Sequence, residues 1–192
     1  MSEKNIINFL YEMGQLKNNP RTGWQVIGIK NPESVADHTC RSTFIAFILG
    51  KLEGVNAEKC ALISAFHEMP ETRVGDMHKI TQNYVLDRKT IEKQVVKEQC
   101  ELLPKEIGDS FFELYNGFEE DKSPEHVIAK DADYLEVIMQ AKEYLRQGHK
   151  DAQNWIDNAS KLLKTNSAKK LLKVILDTEP KEWYEKLKRI ER

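Results

Sequence analysis

The segment HEMPETRVGD, residues 67–76, sets an imidazole and three acids around a proline: His67, Glu68, Glu71 and Asp76. It directly follows an apolar helical run, AEKCALISAF, which places His67 and Glu68 in the last turn of that helix, at the rim of the core. Ionisable groups at such a depth are costly unless they are paired or bind a metal. His38 lies one turn into an earlier helix, and Asp131 and Asp133 sit inside the apolar stretch VIAKDADYLEVIM. Imidazoles together with carboxylates suit Mn, Fe, Co, Ni or Zn, whereas all-oxygen sets suit Mg or Ca. A metal held with open positions polarises a phosphoryl oxygen and lowers the pKa of a bound water. Each residue alone also fits a plain structural role, a satisfied core histidine or a solvated carboxylate, so spacing by itself leaves both readings open.

Those side chains need a scaffold, and the periodicity is helical almost throughout. Ser34 is a good N-cap with Asp37 at the capping-box position, and the helix it opens runs to Gly54. Asn56 caps the next helix, which is apolar nearly all round and therefore central. Pro70 breaks that helix and pushes Met69 out of helical geometry. Further helices are expected over 83–103, 104–120, 124–148, 151–165, 167–177 and 180–192, three of them opened by Pro104, Pro124 and Pro180. PRTGWQVIGIKNPE, residues 20–33, reads as an extended or looped piece. The expectation is an all-α bundle in which residues 1–192 form one domain.

On a helical wheel Asp131 falls beside Val127, Tyr134, Leu135 and Ile138, the stronger apolar stripe, while Asp133 points towards Ala129, Val137 and Gln140. Periodicity alone would choose Asp131 as the inward acid. Trp155 and Trp183 are expected to anchor the C-terminal helices, and Cys60 and Cys100 to be buried small hydrophobes. Cys40 lies two residues from His38, on another helix face, and is excluded as a ligand.

The 192 residues carry 29 Lys and Arg against 31 Asp and Glu, a near balance that argues against nucleic-acid binding through a broad basic field. No apolar run approaches the roughly 20 residues of a membrane span, and the polar N-terminus does not read as a signal peptide. Three cysteines without a CxxC spacing point to a reducing, cytoplasmic setting.

RTGW, PESVADH, HEMPETRVGD and AKDAD occur in an order that resembles the HD-domain phosphohydrolases, most nearly the subgroup of 5′-deoxynucleotidases. The resemblance runs from about Arg21 to about Gly148. It implies an all-helical fold around one divalent metal (Mn, Co, Fe, Ni, Zn or Mg), with His38, His67, Glu68 and Asp133 as ligands. It implies Glu71 and Asp76 as catalytic acids, Asp76 also accepting from a sugar hydroxyl. Arg21, Trp24 and Lys79 would contact a nucleotide substrate, with His78 nearby, and the chain would be a homodimer. The activity implied is hydrolysis of (deoxy)nucleoside 5′-monophosphates. Another nucleotide (a dNTP or guanosine tetraphosphate) and a non-catalytic binding module are the alternatives. One departure stands out: His-Glu occupies the place of the family's His-Asp, and the extra methylene of Glu68 moves its oxygens outward.

Overall fold

The computed structural model describes residues 3–119, 122–185 and 187. Helices follow one another as α1 (Glu3–Met13), α2 (Thr22–Gln25), α3 (Val35–Glu53), α4 (Ala57–Phe66), α5 (Glu71–Val74) and α6 (Lys79–Gln82). They continue as α7 (Arg88–Cys100), α8 (Lys105–Glu119), α9 (Pro124–Arg146), α10 (Gln153–Ser160), α11 (Asn166–Asp177) and α12 (Glu182–Glu185). Among the described residues the sole strand-like feature is an isolated bridge between Pro20 and Ser34. The fold is all-α.

α3 starts where the sequence places it. The Ser34 hydroxyl accepts from the Asp37 N–H while the Asp37 carboxylate accepts from the Ser34 N–H, a reciprocal capping box. It stops at Gly54, whose φ of 72° lies in the left-handed region that glycine enters without penalty. The Asn56 side chain caps α4 through the Lys59 N–H. α4 packs closely on α3: a Cβ on Gly50 would lie 2.6 Å from the Ala57 Cα, so only glycine permits this approach.

α3, α4 and α9 pack mutually, with α8 and α10 on their flanks. Leu49, Ile63, Leu135 and Ile138 are fully buried there, each worth roughly 1.5–3 kcal/mol. Ser123 caps α9, with Pro124 in its first turn.

Some expectations change. Residues 20–33 contain the one-turn helix α2 rather than a wholly extended segment. The helix expected from residue 83 begins at Arg88, and Tyr84 and Leu86 before it are exposed. Pro70 ends α4, yet the chain does not open out: Met69 N–H reaches Phe66 O and Glu71 N–H reaches Glu68 O, tight i→i−3 turns. Pro70 keeps a helical φ of −64° and starts α5, so His67 and Glu68 occupy a turn between two helices. Trp155 packs on Trp24, but Trp183 is exposed and its ring contact is with the adjacent Tyr184. Of the final expected helix, α12 is described; residues 186 and 188–192 lie outside the described part.

Candidate metal centre and active site

His38 enters from α3 with no solvent exposure, and its Nδ1 lies 2.5 Å from Glu136 Oε2. A carboxylate only accepts, so this nitrogen carries the hydrogen and Nε2 faces the other way. His67 follows the end of α4, and its Nδ1 donates to the Ser64 carbonyl at 2.6 Å. Both Nε2 atoms are buried without a hydrogen-bond partner.

They face carboxylates. His38 Nε2 lies 3.2 Å from Asp133 Oδ1 and 3.7 Å from Glu68 Oε1, and His67 Nε2 lies 3.2 Å from Glu68 Oε1. Ligand atoms about 2.1 Å from one cation stand roughly 3.0–3.4 Å apart in octahedral or tetrahedral arrangements. The spacings therefore fit a single divalent ion among His38, His67 and Asp133, with Glu68 within reach. Burial and Arg21 push the His38 pKa down, but Glu136 and Asp133 outweigh them and raise it to about 10. A proton and a metal compete for the same Nε2.

The wall beside this cluster comes from the 19–22 segment and the turn after α4. Arg21 Nη1 lies 2.8 Å from Glu68 Oε1 and 3.4 Å from Asp76 Oδ1. Asp76 Oδ2 accepts from the Thr22 N–H at 2.5 Å and the Thr22 hydroxyl at 2.6 Å. Asn19 donates to the Glu71 carbonyl, while Glu71 Oε2 is buried and unpartnered. Burial, with Glu68 and Asp76 adding repulsion, raises the Glu71 pKa well above the usual carboxylate range. Arg73 turns away from Glu71 and pairs with Glu12 and Glu98.

The remaining candidates lie elsewhere. Asp131 is buried and caps the start of α11, accepting from the N–H groups of Lys164 and Thr165 and from the Thr165 hydroxyl. Trp24 lies in the core: it is 2% exposed, packs on Tyr144 and Trp155, and its Nε1 donates to Glu33. Lys79 is exposed on α6 with its Nζ towards Gln82, and His78 caps that helix, so neither is brought to the cluster.

Sequence reasoning missed Thr22 and the acids behind His38. Glu136 is fully buried, and its Oε1 accepts from Arg41, which also donates to Gln140 and Glu143. Burial pushes the Glu136 pKa up, but His38 and Arg41 outweigh it and hold it below the usual range. Glu33 is partly buried, and desolvation together with the Glu136 charge raises its pKa to about 7. A signal existed: Asp133, Glu136, Gln140 and Glu143 follow helical spacing through an otherwise apolar stretch.

Residues 13–175 match the model of a family described as HD domain. The human protein named 5′-deoxynucleotidase HDDC2 is 33% identical over 147 residues, covering 77% of this chain and 72% of that protein. The protein of Schizosaccharomyces pombe named 5′-deoxynucleotidase hdd1 is 32% identical over 191 residues, covering 93% of this chain and 92% of its own. Among solved structures, the PH0347 protein from Pyrococcus horikoshii OT3 superposes with a TM-score of 0.74 at 28% identity, over 89% of this chain and 96% of that one.

Proposed function

The chain belongs to the HD domain family, and on that premise we propose that it hydrolyses (deoxy)nucleoside 5′-monophosphates to nucleoside and phosphate. In this reading residues 1–192 form one catalytic domain. The observation that carries this reading is the convergence of two unpartnered imidazole Nε2 atoms with Asp133 and Glu68, beside the unpartnered Glu71 Oε2 and the Arg21 guanidinium. The names of the relatives, 5′-deoxynucleotidases, support the substrate class.

His38, His67, Asp133 and Glu68 would hold a divalent cation, which would supply Lewis-acid polarisation of the phosphoryl oxygen and lower the pKa of water. Mn, Co, Fe, Ni, Zn and Mg are the candidates. Arg21, held through Nη1 by Glu68 and Asp76, presents the rest of its guanidinium to the phosphate. Glu71 takes a proton from the attacking water, or gives one to the departing 5′ oxygen, at Oε2. Thr22 saturates Asp76 Oδ2, which leaves Oδ1 to accept from the sugar hydroxyl.

The same reading makes the protein a cytoplasmic homodimer. Phe44, Ile48 and Leu52 form an exposed apolar stripe on α3, and no described helix is long and apolar enough to cross a membrane. Light scattering after gel filtration tests the dimer. Phosphate release from a panel of deoxy- and ribonucleoside monophosphates with Mn²⁺ or Co²⁺ tests the activity. Release of triphosphate or pyrophosphate from dNTPs or guanosine tetraphosphate instead would redirect the substrate assignment, and no release from metal-loaded protein would end it.

A further inference from the structure

We propose that Glu136, braced by Arg41, is a positioning residue that aims the metal-binding nitrogen of His38; this rests on the metal-site reading above. An imidazole can turn about its Cβ–Cγ bond and can carry its hydrogen on either nitrogen, and only one combination offers an Nε2 lone pair to the cluster. Glu136 selects it. Its Oε2 lies 2.5 Å from His38 Nδ1, and as an acceptor it holds the hydrogen there.

The arrangement is built on both sides of the carboxylate. Glu136 has no solvent exposure, and a carboxylate buried without partners is strongly destabilising. Each of its oxygens therefore has its own donor: Oε2 takes His38, and Oε1 takes Arg41 Nε at 2.9 Å and Nη2 at 2.7 Å. Arg41 is itself fixed by Gln140 and Glu143 at 2.6 Å each. His38 and Arg41 stand one turn apart on α3, as Asp133 and Glu136 do on α9. One face of α9 thus offers a metal ligand and, a turn later, aligns the ligand contributed by α3. Any sliding of one helix along the other would disturb both together.

A merely structural ion pair predicts something different. Buried pairs add little net stability over well-packed neutral groups, and removing the charge would then leave metal binding untouched. Carboxylates hydrogen-bonded to ligating histidines typically contribute 10- to 100-fold to metal affinity.

Co²⁺ titration of the full chain, read by calorimetry and by the visible absorption of the bound ion, separates the two. Glu136→Gln keeps the shape and an accepting oxygen but removes the charge. It should weaken Co²⁺ binding 10- to 100-fold and shift the absorption bands while the far-ultraviolet circular dichroism stays native. Asp131→Asn, on the same helix, should lower thermal stability and leave the Co²⁺ affinity unchanged. Equal affinity in Glu136→Gln and the parent, with the parent binding Co²⁺, overturns the positioning role and leaves the metal site standing. A parent that binds no Co²⁺ overturns both. Should Glu136→Gln fail to fold, Arg41→Gln decides: it frees Glu136 without removing it, and a several-fold weakening supports the role whereas unchanged affinity overturns it.

Discussion

Two acids on α9, two residues apart, live in opposite company. Asp131 is surrounded by donors: two backbone N–H groups and a hydroxyl from the start of α11 converge on its two oxygens. Asp133 is surrounded by acceptors and unpartnered lone pairs, with His38 Nε2 at 3.2 Å and Glu68 nearby. Asp131 is 1% exposed and the Asp133 side chain 21%, so depth of burial does not point to the chemical one. The donors around each do. Where the chain supplies every hydrogen a carboxylate wants, the carboxylate is part of the scaffold. Where the chain gathers acceptors at 3–4 Å and leaves them unpartnered, Arg21 offsets only part of the charge and the remainder calls for a cation.

The widest gap between the two regions should appear on removing a ligand. His67→Ala is expected to lower phosphate release on the order of 10⁴-fold, roughly 5 kcal/mol of transition-state stabilisation. Elemental analysis should find the variant depleted of metal, and a chelator should reduce the parent to the same level. Metal retained at parental stoichiometry would break the distinction drawn between the clusters. Next in size is Glu71→Gln, expected to cost on the order of 10³-fold in kcat with metal content unchanged. That pattern separates proton handling from ion binding, and a matching loss of metal would show Glu71 to be a ligand instead.

Asp131→Ala should do the reverse of both. Three donors at the start of α11 lose their acceptor, a destabilisation of about 3 kcal/mol and a fall in Tm of roughly 6–12 °C for a chain of this size. The remaining folded protein should keep its metal and its kcat. Thermal melts followed by circular dichroism, alongside metal analysis, read both quantities.

Legibility in the sequence divides along the same line. Features set by neighbours in the chain were readable: the Ser34–Asp37 box, the Gly54 stop, the Asn56 cap and Pro124 opening α9 all depend on residues a few positions apart. The grouping of His38, His67 and Asp133 was readable only through an ordered set of motifs, because periodicity favoured Asp131. That preference was sound about burial and silent about partners, since the groups satisfying Asp131, two backbone N–H groups and the Thr165 hydroxyl, lie 33 and 34 residues away in the chain. Trp24 carries two signals: its motif suggests substrate contact, and it packs in the core against Tyr144 and Trp155. Glu136 left a trace, an acid on the same helical face as Asp133, but its partner Arg41 becomes visible only once α3 lies against α9.

The smallest effect concerns the residue that departs from the family pattern. Glu68 Oε1 lies 3.2 Å from His67 Nε2 and 2.8 Å from Arg21, so it serves the cluster and the guanidinium with one atom. Glu68→Asp withdraws that oxygen by about one carbon–carbon bond, roughly 1.5 Å. With His38, His67 and Asp133 already grouped for an ion, Co²⁺ affinity should change by less than tenfold. The larger response should be in KM, because Arg21 loses the partner that orients it towards phosphate. A hundredfold loss of Co²⁺ would mean that the reach of the longer side chain is what closes the site, and that α4 sits too far back for an aspartate to serve.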